Sequence, residues 1–312
     1  MNQPVQYSVG LGGWEHESFD HCLYGVNTEY SSVKLRYYAR FFDTVEVRQT
    51  FWDDSLGLND ALQWMDAVAE NKRFRFQVKL HKSFTHTRDF KPELATRVRE
   101  MLLELLKNER LGALLVQLPY SFTNTGANRY YLEKLGELFS GFPVYVEFRN
   151  ESWNDVHLLR NFLRDTQLQV VNADFPRIKQ LMPFVAEVTG STAYVRLHGR
   201  NGKGWLLNGM DTRYDYLYNT KELREIVRRL AALEQKCLAG GTQGKRIVVI
   251  FNNTTNGKAI ANALQLISML HEQKAILVPH ATSLAFPDLL RDMEVVLEES
   301  LFAGEKIYRR VV

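Results

Sequence analysis

VEFRNESW, residues 146–153, reads as a buried strand that ends in charge and turns directly into a helix. Strand side chains alternate faces, so Val146 and Phe148 point one way while Tyr145, Glu147 and Arg149 point the other. An acid and a base on one buried strand face are costly unless they pair or bind something. A barrel of parallel strands supplies the reason, because its polar mouth lies at the carboxyl ends of the strands. The stretch is therefore read as one spoke of such a barrel.

Working outward, the same rhythm of β-rich run, turn and helical pattern recurs in both directions. Strands are expected near 7–11, 44–49, 73–80, 112–118, 144–149, 168–174, 193–197 and 246–251. Helices are expected near 32–41, 59–69, 92–107, 128–139, 152–164, 221–237 and 258–271. Pro92 sits where a first helical turn tolerates it, and Ser152 with Asp155 forms an S-x-x-D capping signal. Eight strands predict the α/β class, a (β/α)8 TIM-barrel-like single domain over residues 1–277. An open doubly wound sheet is the alternative; it lacks a G-x-G-x-x-G turn and a helix-sized crossover between strands six and seven. Leu289, Leu290, Met293, Val296, Leu297 and Leu301 give an apolar stripe, so residues 278–312 are expected as a C-terminal helical extension packed on the barrel.

Composition sets the outer limits. The 312 residues carry 39 Lys and Arg against 36 Asp and Glu, a net charge of +3. This mild balance admits an anionic ligand and lacks the basic bias of a dedicated nucleic-acid coat. Two distant cysteines, Cys22 and Cys237, make neither a disulfide framework nor a cysteine metal site. The N-terminus lacks a signal-peptide pattern and no stretch is long and apolar enough to span a bilayer. A cytoplasmic protein without membrane attachment is expected.

Polar residues at strand ends define the candidate site. Parity places Glu46 with Arg48, and Gln77 with Lys79 and His81, each set on one strand face. It also pairs Glu147 with Arg149, Asn172 with Asp174, and Arg196 with His198, while Gln117 and Asn252 close their own strands. Any one of these is explained by a structural ion pair; the set is explained by a pocket. The loops HGRNGKGW (198–205) and NNTTNGK (252–258) follow strands seven and eight, the usual phosphate-binding place in such barrels. Their Arg200, Lys203 and Lys258 are candidate phosphate contacts. Trp14, Trp153, Trp205 and other aromatics just after strands are packing residues or stacking surfaces for a base or sugar. No metal is expected, because Glu46, Glu147, Asp174, His81 and His198 show no ligand spacing and Lys79, Arg149 and Arg196 oppose a cation. No redox-cofactor signature is present, and no cofactor is expected.

YYARFFDTVEVRQTFW, FRFQVKLHKSFTH, LVQLPYSF, VYVEFRNESW, NADFP, YVRLHG and FNNTTNGKAIANALQL, in this order between Tyr37 and Leu266, resemble the YecE-like family, a domain of unknown function numbered 72. The resemblance implies a TIM-barrel-like fold and brings no established activity. The family motif residues fall on Glu46, Lys79, Gln117, Glu147, Arg149, Trp153, Asp174, Arg196, His198, Asn252 and Asn253. The family's usual G-T-S-G-W opening is GLGGW here, Gly10 to Trp14, without the hydroxyl.

The expectation from residues and resemblance together is a hydrolase- or isomerase-type enzyme acting on a small anionic, phosphorylated or nucleotide-like substrate. Glu147, Glu46, His198 and Asp174 are the candidate catalytic groups. Arg149, Arg196, Lys79, Gln117, Asn252, Asn253, Trp153 and Trp14 are the candidate substrate contacts. A nucleic-acid-binding or processing protein and a non-catalytic scaffold are the alternatives.

Overall fold

In the computed structural model, described for residues 5–25, 30–207, 210–239, 245–271, 274–290, 293–298 and 309–310, eight parallel strands close into a barrel in sequence order. They are β1 (Gln6–Leu11), β2 (Thr44–Val47), β3 (Arg75–Lys79), β4 (Leu111–Gln117), β5 (Val144–Glu147), β6 (Gln169–Asp174), β7 (Thr192–Leu197) and β8 (Arg246–Phe251). Closure comes from β1 pairing with β8 over six residues, Gln6 opposite Arg246 through Leu11 opposite Phe251. Closure removes every sheet edge from the barrel, so no strand end is left to pair elsewhere.

Helices α1 (Ser31–Tyr38), α2 (Leu58–Ala67), α3 (Pro92–Lys107), α4 (Gly126–Leu138), α5 (Val156–Thr166), α6 (Thr220–Ala239) and α7 (Lys258–Leu270) cover the outside. Most of them bury an apolar stripe against the strands: α3 does so with Leu94, Val98, Met101, Leu102 and Leu105, the spacing of one helical face. α7 is buried on nearly every side and is correspondingly apolar apart from Lys258 and the buried Asn262, Gln265 and Ser268. Residues 175–191 carry no helix, and this irregular crossover is tied back by a bridge between Leu181 and Asn150.

Two local expectations are corrected. The cap of α5 is Asp155, whose carboxylate accepts from the His157 and Leu158 backbone N–H groups. Ser152 lies in a preceding 3-10 turn, Glu151–Trp153, and its hydroxyl accepts from the Asn124 N–H. The helical extension after 277 is also not observed as one helix. Residues Ile276–Pro279 form β9, which crosses the expected boundary, and Val295–Glu298 form β10, parallel to it. A run of β-branched and branched apolar residues suits a pleated surface better than a helix, and pairing with β9 decided the outcome. Of the expected stripe, Leu301 lies outside the described residues. Glu298 of β10 is buried and paired with Arg40 just after α1, which seats this small sheet on the barrel's flank.

The barrel interior is in two parts. Ala113, Leu115, Tyr145, Val171, Tyr194, Val248 and Ile250 form a closed apolar cluster from alternate positions of the strands. Above it the same inward positions turn polar. Gly10 lies at an inward position where β1 meets β2, and a Cβ there would stand 1.9 Å from the Thr44 carbonyl oxygen. Gly10→Ala is expected to destabilise the fold by about 1–3 kcal/mol through forced backbone displacement, read as a lower urea midpoint with an unchanged slope.

Candidate active site at the barrel mouth

The polar layer above the apolar cluster is built from Glu46 on β2 with Arg48 just past its end, Lys79 on β3, Gln117 on β4, Glu147 on β5 with Arg149 two residues past its end, Arg196 on β7 with His198 just past its end, and Asn252 after β8. Arg196 is at the centre. Its Nε and Nη2 donate to the Glu46 carboxylate at 2.7 Å each, and its Nη1 donates to Glu147. Glu46 also accepts from the Tyr194 hydroxyl at 3.2 Å, and Glu147 from Arg149 Nε at 3.2 Å. Arg196, Glu46 and Glu147 are all 0–1% exposed in their side chains, so this triad stands in place of bulk solvation.

His198 extends the network upward. Its Nε2 lies 2.9 Å from Glu147 Oε2, and its Nδ1 lies 3.1 Å from the Asn252 amide nitrogen. An ionised Glu147 only accepts, so Nε2 carries the proton and Nδ1 accepts from Asn252. Burial, with Arg196 and Arg149, brings the imidazole down to about 4 against the pull of Glu147, so the ring is neutral near pH 7. Phe175 stacks on it, centroids 4.8 Å apart at 7°. Burial alone would raise the Glu147 carboxyl, yet Arg196, His198 and Arg149 outweigh it and hold the group well below the usual carboxylate range. A carboxylate held this way positions arginines and is a poor proton acceptor near neutrality.

Three cations at the mouth remain without a full counter-charge. Arg149 spends Nε on Glu147, is also hydrogen-bonded to the Tyr214 phenol, and lines a cleft of about 400 Å³ with Tyr120, Gln180, Trp205 and Arg213. Arg48 donates to the Gly12 carbonyl at 3.2 Å and, among the described residues, meets no carboxylate within ion-pair distance. Lys79 holds its ammonium 3.8 Å from the Phe51 ring centroid. Burial, and then Arg196, Arg48 and Arg149 against the opposing Glu46, pushes that ammonium well below the ordinary lysine range.

The structure redistributes several expected site residues. Val171 belongs to the inner cluster, so the polar residues of β6 face outward. Asn172 brackets the Glu187 backbone, and Asp174 takes hydrogen bonds from Arg200, Arg229 and the Tyr218 hydroxyl at 2.8–2.9 Å. Asp174 is thereby a pin between the barrel and α6, outside the mouth. Trp153 is buried against Phe148 and Phe122 and donates its indole N–H to the Phe122 carbonyl. Trp14 is buried against Trp64 and donates to Ser31. Both are core residues rather than mouth walls. Asn253 ties the loop, donating to the Tyr216 carbonyl and to Asn262. Gln117 remains at the mouth, its amide 3.3 Å from the Leu118 carbonyl. Of the loop cations, Arg200 is taken by Asp174 and Glu225, and Lys258 by Asp215. Apart from the exposed Lys203, the unmatched positive charge therefore sits at the ends of β2, β3 and β5 rather than in the expected loops.

Tyr214 was not anticipated. It lies in the connection after β7, past a short helix Gly202–Leu206, with its ring 6.1 Å from that of His198. Burial would raise its phenol, yet Arg149, Arg48 and Arg196 bring it below the usual value. A tyrosine in an irregular connection has no period to mark it, and only the return of that segment over the mouth reveals it. Among the described residues, no group of three His, Cys, Asp or Glu side chains is arranged to hold a metal ion, and no helix is long and apolar enough to cross a membrane.

Comparison with known proteins agrees with this frame. The DUF72 family, described as a protein of unknown function, matches residues 8–285. The UPF0759 protein YunF of Bacillus subtilis (strain 168) is 29% identical over 293 residues, spanning 88% of this chain and 99% of that protein. The crystal structure of a DUF72 family protein from Thermotoga maritima MSB8 superposes with a TM-score of 0.72 at 30% identity, covering 85% of this chain and 99% of that one. One from Enterococcus faecalis V583 does so with a TM-score of 0.73 at 28% identity, covering 85% and 96%.

Two outcomes follow from the triad. Arg196→Met leaves Glu46 and Glu147 buried without their partner and is expected to cost about 3–5 kcal/mol; adding Glu46→Gln and Glu147→Gln should recover much of it in urea unfolding. The folded His198 is neutral down to about pH 4, whereas an unfolded histidine protonates near 6.5. The unfolded state then binds more protons, so stability present above pH 6.5 falls as pH drops toward 4, by up to about 1.4 kcal/mol per pH unit. His198→Gln should flatten the upper part of that fall.

Proposed function

In a chain that belongs to the DUF72 family, we propose that the barrel mouth binds a small anionic organic molecule, phosphorylated or carboxylated, and transforms it by proton transfer of the isomerase or hydrolase type. The observation that carries this reading is the imbalance of charge: Arg48, Arg149 and Arg196 share the mouth with only Glu46 and Glu147 as counter-ions among the described residues. Desolvated cations without matched acids raise local potential and favour an anion that completes the set.

Roles follow from what each group has left to offer. Glu46 and Glu147 are spent on Arg196 and serve to hold it. Arg149 and Arg48 carry more N–H donors than Glu147, Tyr214 and the Gly12 carbonyl use, and they take the anion. The Tyr214 phenol, drawn below its ordinary value by the same arginines, is the group we assign to carry the proton to or from the substrate. His198, neutral and fixed between Glu147 and Asn252, supplies an apolar ring edge and a rigid support. Of the aromatics expected as stacking surfaces for a nucleic-acid partner, Trp14, Phe122 and Trp153 are buried, while Trp52 and Tyr120 are exposed.

The complete pairing of Arg196 favours one other reading, a barrel whose ion triad is purely structural. Titration with inorganic phosphate separates the two. Binding that weakens about tenfold or more in Arg149→Ala, measured where the variant is still fully folded, supports the anion site. Phosphate binding that is undetectable, or equal in wild type and Arg149→Ala, rejects it.

A further inference from the structure

Lys79 is the one lysine in the eight barrel strands and the one basic group of the mouth with neither a carboxylate nor a hydrogen-bond acceptor among the described residues. Arg196 is locked by two carboxylates, Arg149 by one, and Arg48 by a backbone carbonyl. Lys79 instead lies with its nitrogen against the face of Phe51, which is itself buried. The Lys79 backbone carbonyl accepts from the Thr50 hydroxyl at 2.6 Å, so the strand end and the turn carrying Phe51 are fastened together. An amine held on a rigid strand, screened on one side by an aromatic wall and ringed by three arginines, suits a neutral nucleophile better than a charge clamp. The direction of its proton affinity agrees, burial and the arginines both favouring the free base.

We propose that Lys79 is an amine nucleophile that forms an imine with the carbonyl carbon of a small aldehyde or ketone whose anionic group is held by Arg48 and Arg149. This deepens the anion-site reading and rests on it for the position of the substrate. In the addition, the Nζ lone pair forms the C–N bond as the carbonyl π pair moves to oxygen. The oxygen gains a proton and nitrogen loses one, giving the carbinolamine. The hydroxyl then leaves as water with one further proton while the nitrogen lone pair closes the C=N bond. Amine, carbonyl and one proton thus become a protonated imine and water, with no change in oxidation state. The imine draws electrons from the neighbouring carbon, so a proton there becomes labile, which is the chemistry an isomerase-type mouth needs.

Glycolaldehyde phosphate with sodium borohydride tests this on the full chain, with glycolaldehyde lacking the phosphate as the comparison and peptide mapping by mass spectrometry as the readout. The expected result is a reduced adduct on Lys79 formed near neutral pH at least about tenfold faster than on any surface lysine, because a surface lysine is almost wholly protonated there. The adduct is expected to be slowed by inorganic phosphate and absent in Lys79→Arg, which keeps the charge and forms no stable imine. Labelling spread over surface lysines, or confined to high pH, overturns the proposal. Phosphate titration of the wild type keeps the two readings apart. Phosphate binding without trapping rejects the imine and leaves the anion site standing, whereas undetectable phosphate binding rejects the anion site by itself.

Discussion

Arg196 reaches across the upper barrel from β7 and binds Glu46 of β2 on one side and Glu147 of β5 on the other. Three charges with almost no solvent contact sit there, in a setting where an unpaired charge would cost several kcal/mol. Removing any one of them strands the other two. The constraint therefore acts on three strands at once, holding their inward side chains at one height. It also sets the electrostatics above: with both carboxylates consumed, Arg48, Lys79 and Arg149 face the opening with little to neutralise them.

The layering beneath makes this arrangement tolerable. The apolar cluster of Leu115, Tyr145, Val171, Tyr194, Val248 and Ile250 plugs the barrel and keeps water from entering below. Tyr194 belongs to that plug and also donates to Glu46, so one residue joins the apolar floor to the ionic layer. Outside the barrel, Asp174 collects Arg200, Arg229 and Tyr218 and pins α6 and the connection after β7. That pin lies in the same stretch of chain that brings Trp205 and Tyr214 over the mouth, so an outward-facing carboxylate helps to shape the site without lining it.

Much of this was legible from residue order because strands repeat with period two and helices with period 3.6. Glu46, Lys79, Gln117, Glu147, Arg149, Arg196, His198 and Asn252 all lie at the inward positions that parity assigned. Parity has a blind spot, however. In β6, QVVNAD, apolar and polar residues alternate as in the other strands, yet the polar set faces out because Val171 must pack beside Tyr194 in the inner cluster. Alternation states that two faces differ, not which one is inside. Trp14 and Trp153 were misread for a related reason: a loop-start aromatic looks the same in sequence whether the chain turns it toward the mouth or into the helix layer.

By itself the sequence determined the class of fold, the number and order of the strands, and the polarity of their carboxyl ends, since these depend on local periodicity and on the cost of burying charge. Only the tertiary structure decided which charges cancel. VEFRNESW shows an acid and a base two residues apart; it does not show that Arg196, forty-seven positions after Arg149, reaches Glu147 and, through Glu46, ties a strand one hundred residues upstream. Pair assignment is a matter of distance in space, and distance in space follows from barrel closure. The same closure leaves Lys79, among the described residues, without an acid at ion-pair distance and sets Tyr214 among arginines.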